Sequence, residues 1–198
     1  MHGLICKAVE GFVTDQHGLG TWAEIRLAAR LEFEHFESLR VYDQALAERV
    51  FNAAATSLRR DRNALFEDVG AWICTHPPLD MVRRLIRFTG RTFVDLLYAL
   101  DEVHDRASMA VPGLELPRFR LEREGEGEFE IHSRWRIAGG AAVLMGVLRA
   151  MADDYGALAL IEAGEARLVE GDWQERVHIR VVDQEFQAPR EFMLGGAL

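Results

Sequence analysis

The sequence predicts an α+β domain in which an N-terminal helical part packs on a C-terminal part built around a four-stranded antiparallel sheet. Three observations predict it: apolar residues recur near every 3.6 positions through the first half, the pattern switches to alternation after Pro112-Gly113, and one further amphipathic helix separates two pairs of alternating segments. Helices first and strands later argue a sheet covered by helices rather than a doubly wound parallel sheet. A chain of 198 residues buries one sizeable core, so 1–198 reads as one domain, with a helical part over about 1–60 and a pocket and sheet part over about 61–198.

Leu4, Ile5, Ala8, Val9, Phe12 and Val13 form the first apolar stripe, and His17-Gly18-Leu19-Gly20 breaks it. Thr21 then reads as an N-cap, with Glu24 completing a capping box, and a second helix follows through about Ala29. Tyr42 or Asp43 opens the next helix, with Leu46, Val50, Phe51 and Ala54 on one side. Leu65, Phe66, Val69, Trp72 and Ile73 mark another from Arg62 to Thr75, stopped by Pro77-Pro78. A short segment from Leu79 to Phe88 leads to Gly90 and then to the longest amphipathic pattern, Thr92 to about Met109. Phe119 to Glu124 and Phe129 to Trp135 alternate across Gly125-Glu126-Gly127, a hairpin signal. Gly139-Gly140 precedes a helix from Ala141 to Tyr155 that buries Val143, Leu144, Val147, Leu148 and Met151. Two strands, Ala157 to Leu168 and Trp173 to Val182, close the pattern around a turn at Glu170-Gly171-Asp172.

Composition narrows the function. The formal net charge is -9, from 32 acidic against 23 basic side chains, a surface that repels phosphate backbones and anionic lipid. Nucleic acid and membranes are therefore not expected partners. Cys6 and Cys74 make no disulfide framework and read as reduced core thiols. No apolar run is long enough to span a bilayer and the first residues lack a leader pattern, so a cytoplasmic protein is expected. The sequence ends at Met193-Leu194-Gly195-Gly196-Ala197-Leu198 with no effector domain attached, so a signal is expected to pass by protein contact.

Enzymatic signatures are missing: there is no C-x-x-C, no H-E-x-x-H, no Gly-x-Ser-x-Gly and no Walker-type loop. The chain reads as a non-enzyme. One segment stands out, Thr92 to His104, where Phe93, Leu97, Leu100 and His104 fall at steps of four, three and four. That spacing puts the imidazole on the helix's apolar stripe, where it needs a partner. The partner is either a backbone carbonyl or a metal, and one histidine suffices for a metal that arrives inside a macrocycle supplying four other ligands.

Met1-His2-Gly3-Leu4-Ile5, Leu100-Asp101-Glu102-Val103-His104, Val111-Pro112-Gly113-Leu114-Glu115-Leu116-Pro117 and Met145-Gly146-Val147-Leu148 resemble the haem nitric oxide/oxygen-binding (H-NOX) family, over nearly the whole chain and in the same element order. The resemblance implies a haem b held between the helical part and the sheet part, with His104 as proximal iron ligand. It implies an apolar pocket of Ile5, Val9, Trp72, Leu100, Val143 and Val147. In such domains nitric oxide binds the distal face and weakens or breaks the iron–histidine bond. The resulting shift is read by a separate signalling protein, such as a histidine kinase or a diguanylate cyclase/phosphodiesterase.

The sequence departs from the family at Tyr-x-Ser-x-Arg, whose hydroxyls and guanidinium grip the haem propionates. Ungapped alignment places Ser133, Trp135 and Ile137 there. A register slip of one residue would instead offer His132, Arg134 and Arg136, but turns them to the other sheet face unless a bulge intervenes. The propionate region is thus assigned to Ser133, Arg134, Trp135 and Arg136, with alternation placing Ile131, Ser133 and Trp135 inward and Arg134 and Arg136 toward solvent. The helix from Ala141 offers no tyrosine where oxygen-binding members place one, so nitric oxide is the expected gas.

Two functions follow. The first is a haem-dependent nitric oxide sensor that signals through a conformational shift. The second is a module of the same fold that has lost haem and binds another apolar or tetrapyrrole ligand, or acts only through protein contacts. A haem peroxidase is disfavoured, since the distal residues include no His/Arg pair to drive O–O cleavage.

Overall fold

The computed structural model describes residues 1–190, so the terminal run Met193-Leu194-Gly195-Gly196-Ala197-Leu198 lies outside the described residues. In chain order the elements are α1 (Gly3–Ala28), α2 (Gln44–Leu58), α3 (Arg62–Thr75), a 3₁₀ turn (Pro77–Leu79), α4 (Asp80–Arg87) and α5 (Phe93–Ala99). A second 3₁₀ turn (Leu100–Glu102), α6 (Val103–Ala110), β1 (Arg118–Gly125), β2 (Glu128–Trp135), α7 (Gly140–Tyr155), β3 (Leu158–Val169) and β4 (Asp172–Asp183) follow. The strands form one antiparallel sheet of order β1-β2-β4-β3, the α+β architecture that the two periodicities predict.

Capping explains where several helices begin. Asp43 accepts the Ala45 N–H at 2.6 Å to open α2, and Asp61 accepts the Asn63 N–H at 2.9 Å to open α3. At α5 the hydroxyl of Thr92 accepts the Asp95 N–H, while the Asp95 carboxylate accepts the Thr92 N–H, a reciprocal capping box. The Thr92 backbone N–H holds the Asp95 carboxyl below the usual carboxylate range.

Two expectations about helices need correction. Thr21 does not cap a new helix, because its hydroxyl donates back to the His17 carbonyl at 2.8 Å from within α1. The break is absorbed by Gly18 alone, at φ 87°, ψ 163°, a conformation closed to residues with a Cβ. The pattern from Thr92 to Met109 is not one helix either. It tightens into a 3₁₀ turn at Leu100–Glu102, where Asp101 accepts the Leu121 N–H of β1 at 2.8 Å and ties the turn to the sheet.

Apolar side chains gather in two clusters. One lies among α1, α2 and the first half of α3, with Phe36, Phe51 and Phe66 at its centre, and it also takes in Trp135 and Ile137. The core of the helical part therefore crosses residue 60. The other joins Phe93, Leu97 and Leu100 to Leu144, Leu148, Phe129 and Ile131, so α5 and α7 cover the inner face of the sheet. Between them α3 and α7 cross at backbone contact: a Cβ on Gly70 would strike the Val143 carbonyl, and one on Gly146 the Glu67 carbonyl. Cys6 and Cys74 are free and buried. Among the described residues no helix is long and apolar enough to cross a membrane.

Candidate functional site

His104 stands in the first turn of α6. Phe93, Leu97 and Leu100 are buried as the helical spacing predicts, while His104, beyond the intervening 3₁₀ turn, is half-buried. Its Nδ1 lies 2.6 Å from the carbonyl oxygen of Leu116. A carbonyl only accepts, so Nδ1 carries a proton, and in the neutral ring the lone pair is on Nε2.

Leu116 belongs to the short stretch between α6 and β1, where three successive carbonyls accept side-chain donors. Ser108 Oγ donates to Leu114 at 3.2 Å, Trp135 Nε1 to Glu115 at 3.1 Å and His104 Nδ1 to Leu116 at 2.6 Å. Gly113, with φ 81°, turns the chain into this stretch, and Pro117 ends it with a fixed φ and an extended residue before it.

The residues assigned to the apolar pocket do not form one group. Ile5, Val9, Trp72 and Val143 belong to the first cluster, while Leu100 and Val147 belong to the second. Val9 and Leu100 are buried, whereas Ile5, Trp72, Val143 and Val147 are each half-buried. The Trp72 indole stacks on His76 with ring centroids 4.6 Å apart and donates its N–H to Asp15 at 2.9 Å. That hydrogen bond keeps the Asp15 carboxyl below its ordinary range.

The propionate region splits across the sheet. Ser133 and Trp135 face inward and are buried, as is Ile137. Arg134 points outward to pair with Asp172 at 2.7 Å, and Arg136 is exposed. No bulge interrupts the pairing of β2 with β4, so Ser133 lies opposite Glu175. Sequence reasoning missed Glu175, which is buried and accepts the Gly139 N–H at 2.8 Å and the Ala141 N–H at 2.9 Å at the start of α7. Its signal was available: Glu175, Val177 and Ile179 share the inward phase of β4, which places one carboxylate on an apolar face.

These residues fit one half of a haem site. The imidazole of His104, oriented through Nδ1 by a carbonyl, has the donor chemistry to hold an iron whose other ligands would come from a macrocycle. Among the described residues no group of three or more His, Cys, Asp or Glu could hold a metal ion without one. The carboxylate side does not fit at Ser133, Trp135 and Ile137: none of the three is a cation, and Glu175 places a carboxylate beside them. Two concavities, of about 410 and 360 Å³, lie against Tyr42 and Leu46 and against Arg120 and Arg176, and neither is lined by His104.

Comparison with known proteins locates this arrangement. Residues 2–162 match a family model described as Haem-NO-binding, HNOB. Soluble guanylate cyclase gcy-31 of Caenorhabditis elegans is 22% identical over 149 residues, 75% of this chain and 21% of that protein. Soluble guanylate cyclase 89Db of Drosophila melanogaster is 20% identical over 155 residues, 78% of this chain and 23% of that protein. The chain thus spans about a fifth of the length of these curated relatives. Among solved structures, an I5F mutant of T. tengcongensis H-NOX superposes with a TM-score of 0.75 at 17% identity, covering 93% of this chain and 99% of that one. An oxygen-binding H-NOX domain related to soluble guanylate cyclases gives 0.69 at 18% identity, covering 96% of this chain and 100% of that one.

Proposed function

Because this chain belongs to the Haem-NO-binding family, whose domains bind haem and sense gases, we propose that it is a haem-dependent nitric oxide sensor with His104 Nε2 as the axial donor. One observation carries the reading: Nδ1 of His104 is fixed by the Leu116 carbonyl at 2.6 Å, which directs the lone pair of Nε2 away from that stretch. A haem b bound there would supply the iron that takes up the gas.

The chain's own residues set the preference and the output. Ile5, Val9, Val143 and Val147 carry no donor for a polarised dioxygen, and the Trp72 N–H is engaged by Asp15. Tyr155 lies at the far end of α7, donating to the carbonyls of Arg87 and Gly90. Nitric oxide, which needs no such donor, is the gas these residues favour. The half-buried faces of Ile5, Trp72, Val143 and Val147 on α1, α3 and α7 are the apolar surface a macrocycle would cover. Movement of His104 would pass through the Leu114–Leu116 stretch to β2 and through the 3₁₀ turn to α5. A separate signalling protein, such as a histidine kinase or a diguanylate cyclase/phosphodiesterase, would read it in the cytoplasm, with no catalysis by this domain.

The absorption spectrum of the protein expressed with ample haem tests this. A Soret band that His104→Ala abolishes or shifts is expected, and no band, or one indifferent to that substitution, refutes it. The inward, cation-free set Ser133, Trp135 and Ile137 beside Glu175 favours a second reading, a module of this fold without haem that binds another apolar ligand or acts by contact alone.

A further inference from the structure

We propose that Trp135 is a positioning residue for His104, acting through the successive carbonyls of Glu115 and Leu116 that the two hold. The Glu115 carbonyl accepts the indole N–H of Trp135 at 3.1 Å, and the next carbonyl along the chain, that of Leu116, accepts Nδ1–H of His104 at 2.6 Å. Carbonyls 114 and 116 are taken by α6, through Ser108 and His104, while carbonyl 115 between them is taken by β2. The stretch is thereby clamped from both sides, with Trp135 as its hold on the sheet.

The indole is placed to bear that load. Its ring is buried in the first apolar cluster, and a buried Trp N–H without an acceptor costs free energy, so the ring and the Glu115 carbonyl fix each other. Pro117 and the ring of Trp135 both crowd Gly140, where a Cβ would come within 3.1 Å of the Pro117 Cγ and 3.3 Å of the Trp135 Cε3. The end of the stretch is therefore packed against the start of α7. Without the indole N–H the Glu115 carbonyl would lose its sheet-side restraint, and the adjoining Leu116 carbonyl would favour the Nδ1–H tautomer of His104 less strongly. The geometry needs no haem. Only its consequence, a fixed direction for Nε2, rests on the sensor reading above.

The test is nitrogen NMR of ¹⁵N-histidine-labelled protein without haem, at a pH where imidazole is neutral. In the unsubstituted chain the His104 nitrogens should report the Nδ1–H tautomer. Trp135→Phe should lower the ratio of Nδ1–H to Nε2–H by about two- to tenfold, the range for losing one ordinary hydrogen bond. Benzothienylalanine at 135 keeps the ring and lacks only the N–H, so it should do the same in a protein that remains folded if the phenylalanine variant does not. An unchanged tautomer ratio in the folded benzothienylalanine protein overturns the proposal, whatever happens to thermal stability. In haem-loaded protein the same substitutions should shift the iron–histidine stretching band. Absence of any Soret band together with the tautomer shift would remove the sensor reading and leave this one standing.

Discussion

Asp154 joins α4 to the end of α7, and its removal should be the costliest single change outside the two apolar clusters. The carboxylate is 1% exposed and meets two guanidiniums: Arg83 through Nε at 2.7 Å and Nη2 at 2.6 Å, and Arg87 through Nε at 3.1 Å. Replacing Asp154 with alanine affects the two arginines differently. Arg83 keeps Asp80 at 3.1 Å and has some access to water. Arg87 is 9% exposed and loses the Asp154 carboxylate while keeping the Tyr155 ring, 3.6 Å from its guanidinium carbon. Breaking a buried pair typically costs about 3–5 kcal/mol, and the ring under Arg87 sets the lower end, about 3 kcal/mol. For a domain of this size that corresponds to a fall in Tm of roughly 6–12 °C. Urea unfolding should show a lower midpoint with an unchanged slope. The double variant Arg87→Met with Asp154→Leu, which removes both charges, should recover part of the loss. A cost below about 1 kcal/mol for Asp154→Ala, or a double variant no more stable than the single one, would refute this account of the joint.

Gly146→Ala should destabilise by about 1–3 kcal/mol in thermal melts, opposite to the gain alanine gives on an open helix face, because the new methyl meets the Glu67 carbonyl across the α3–α7 crossing. Burial pushes the thiols of both Cys6 and Cys74 from 9.0 to about 12, so neither should react with an aromatic disulfide reagent near neutral pH until the protein unfolds. The same shifts set a pH dependence: the folded state holds these protons more tightly than the unfolded chain, so their contribution to stability is full below pH 9.0 and is lost as pH rises toward about 12. Urea midpoints between those limits should fall with pH, and less so in a Cys6→Ala, Cys74→Ala variant.

Local chemistry made most elements readable in the sequence. Asp43 stands where a cap is needed, Gly127 and Gly171 take the positive φ of the two hairpin turns, and Phe129, Ile131 and Trp135 alternate as an inward strand face should. The misreadings arose where another group, near or distant, overrides a local pattern. Nothing within Thr92–Met109 announces that Asp101 will accept the Leu121 N–H, 20 residues on, at the 3₁₀ turn that divides the helix. Thr21 and Glu24 satisfy the spacing of a capping box, yet Gly18 bends the chain three residues earlier and leaves nothing for them to cap.

The candidate site was half legible for the same reason. A histidine on an apolar helix can be recognised from spacing, but its orienting partner is a backbone carbonyl of Leu116, and a carbonyl has no residue-type signature. What distinguishes this chain is how the neighbouring strand has been refilled. Ser133, Trp135 and Ile137 are buried, and the anion that meets the first turn of α7 is the protein's own Glu175. A helix N-terminus and inward polar positions form an anion seat only while they are vacant, and here a carboxylate fixed by two backbone N–H groups neutralises them from within. Ser133, Trp135 and Ile137 would offer the carboxylates of a bound haem no cation. The sheet-side hold beside His104 comes from the Trp135 indole, which donates to the Glu115 carbonyl next to the Leu116 carbonyl that meets Nδ1 of His104, so the imidazole and β2 are joined by backbone.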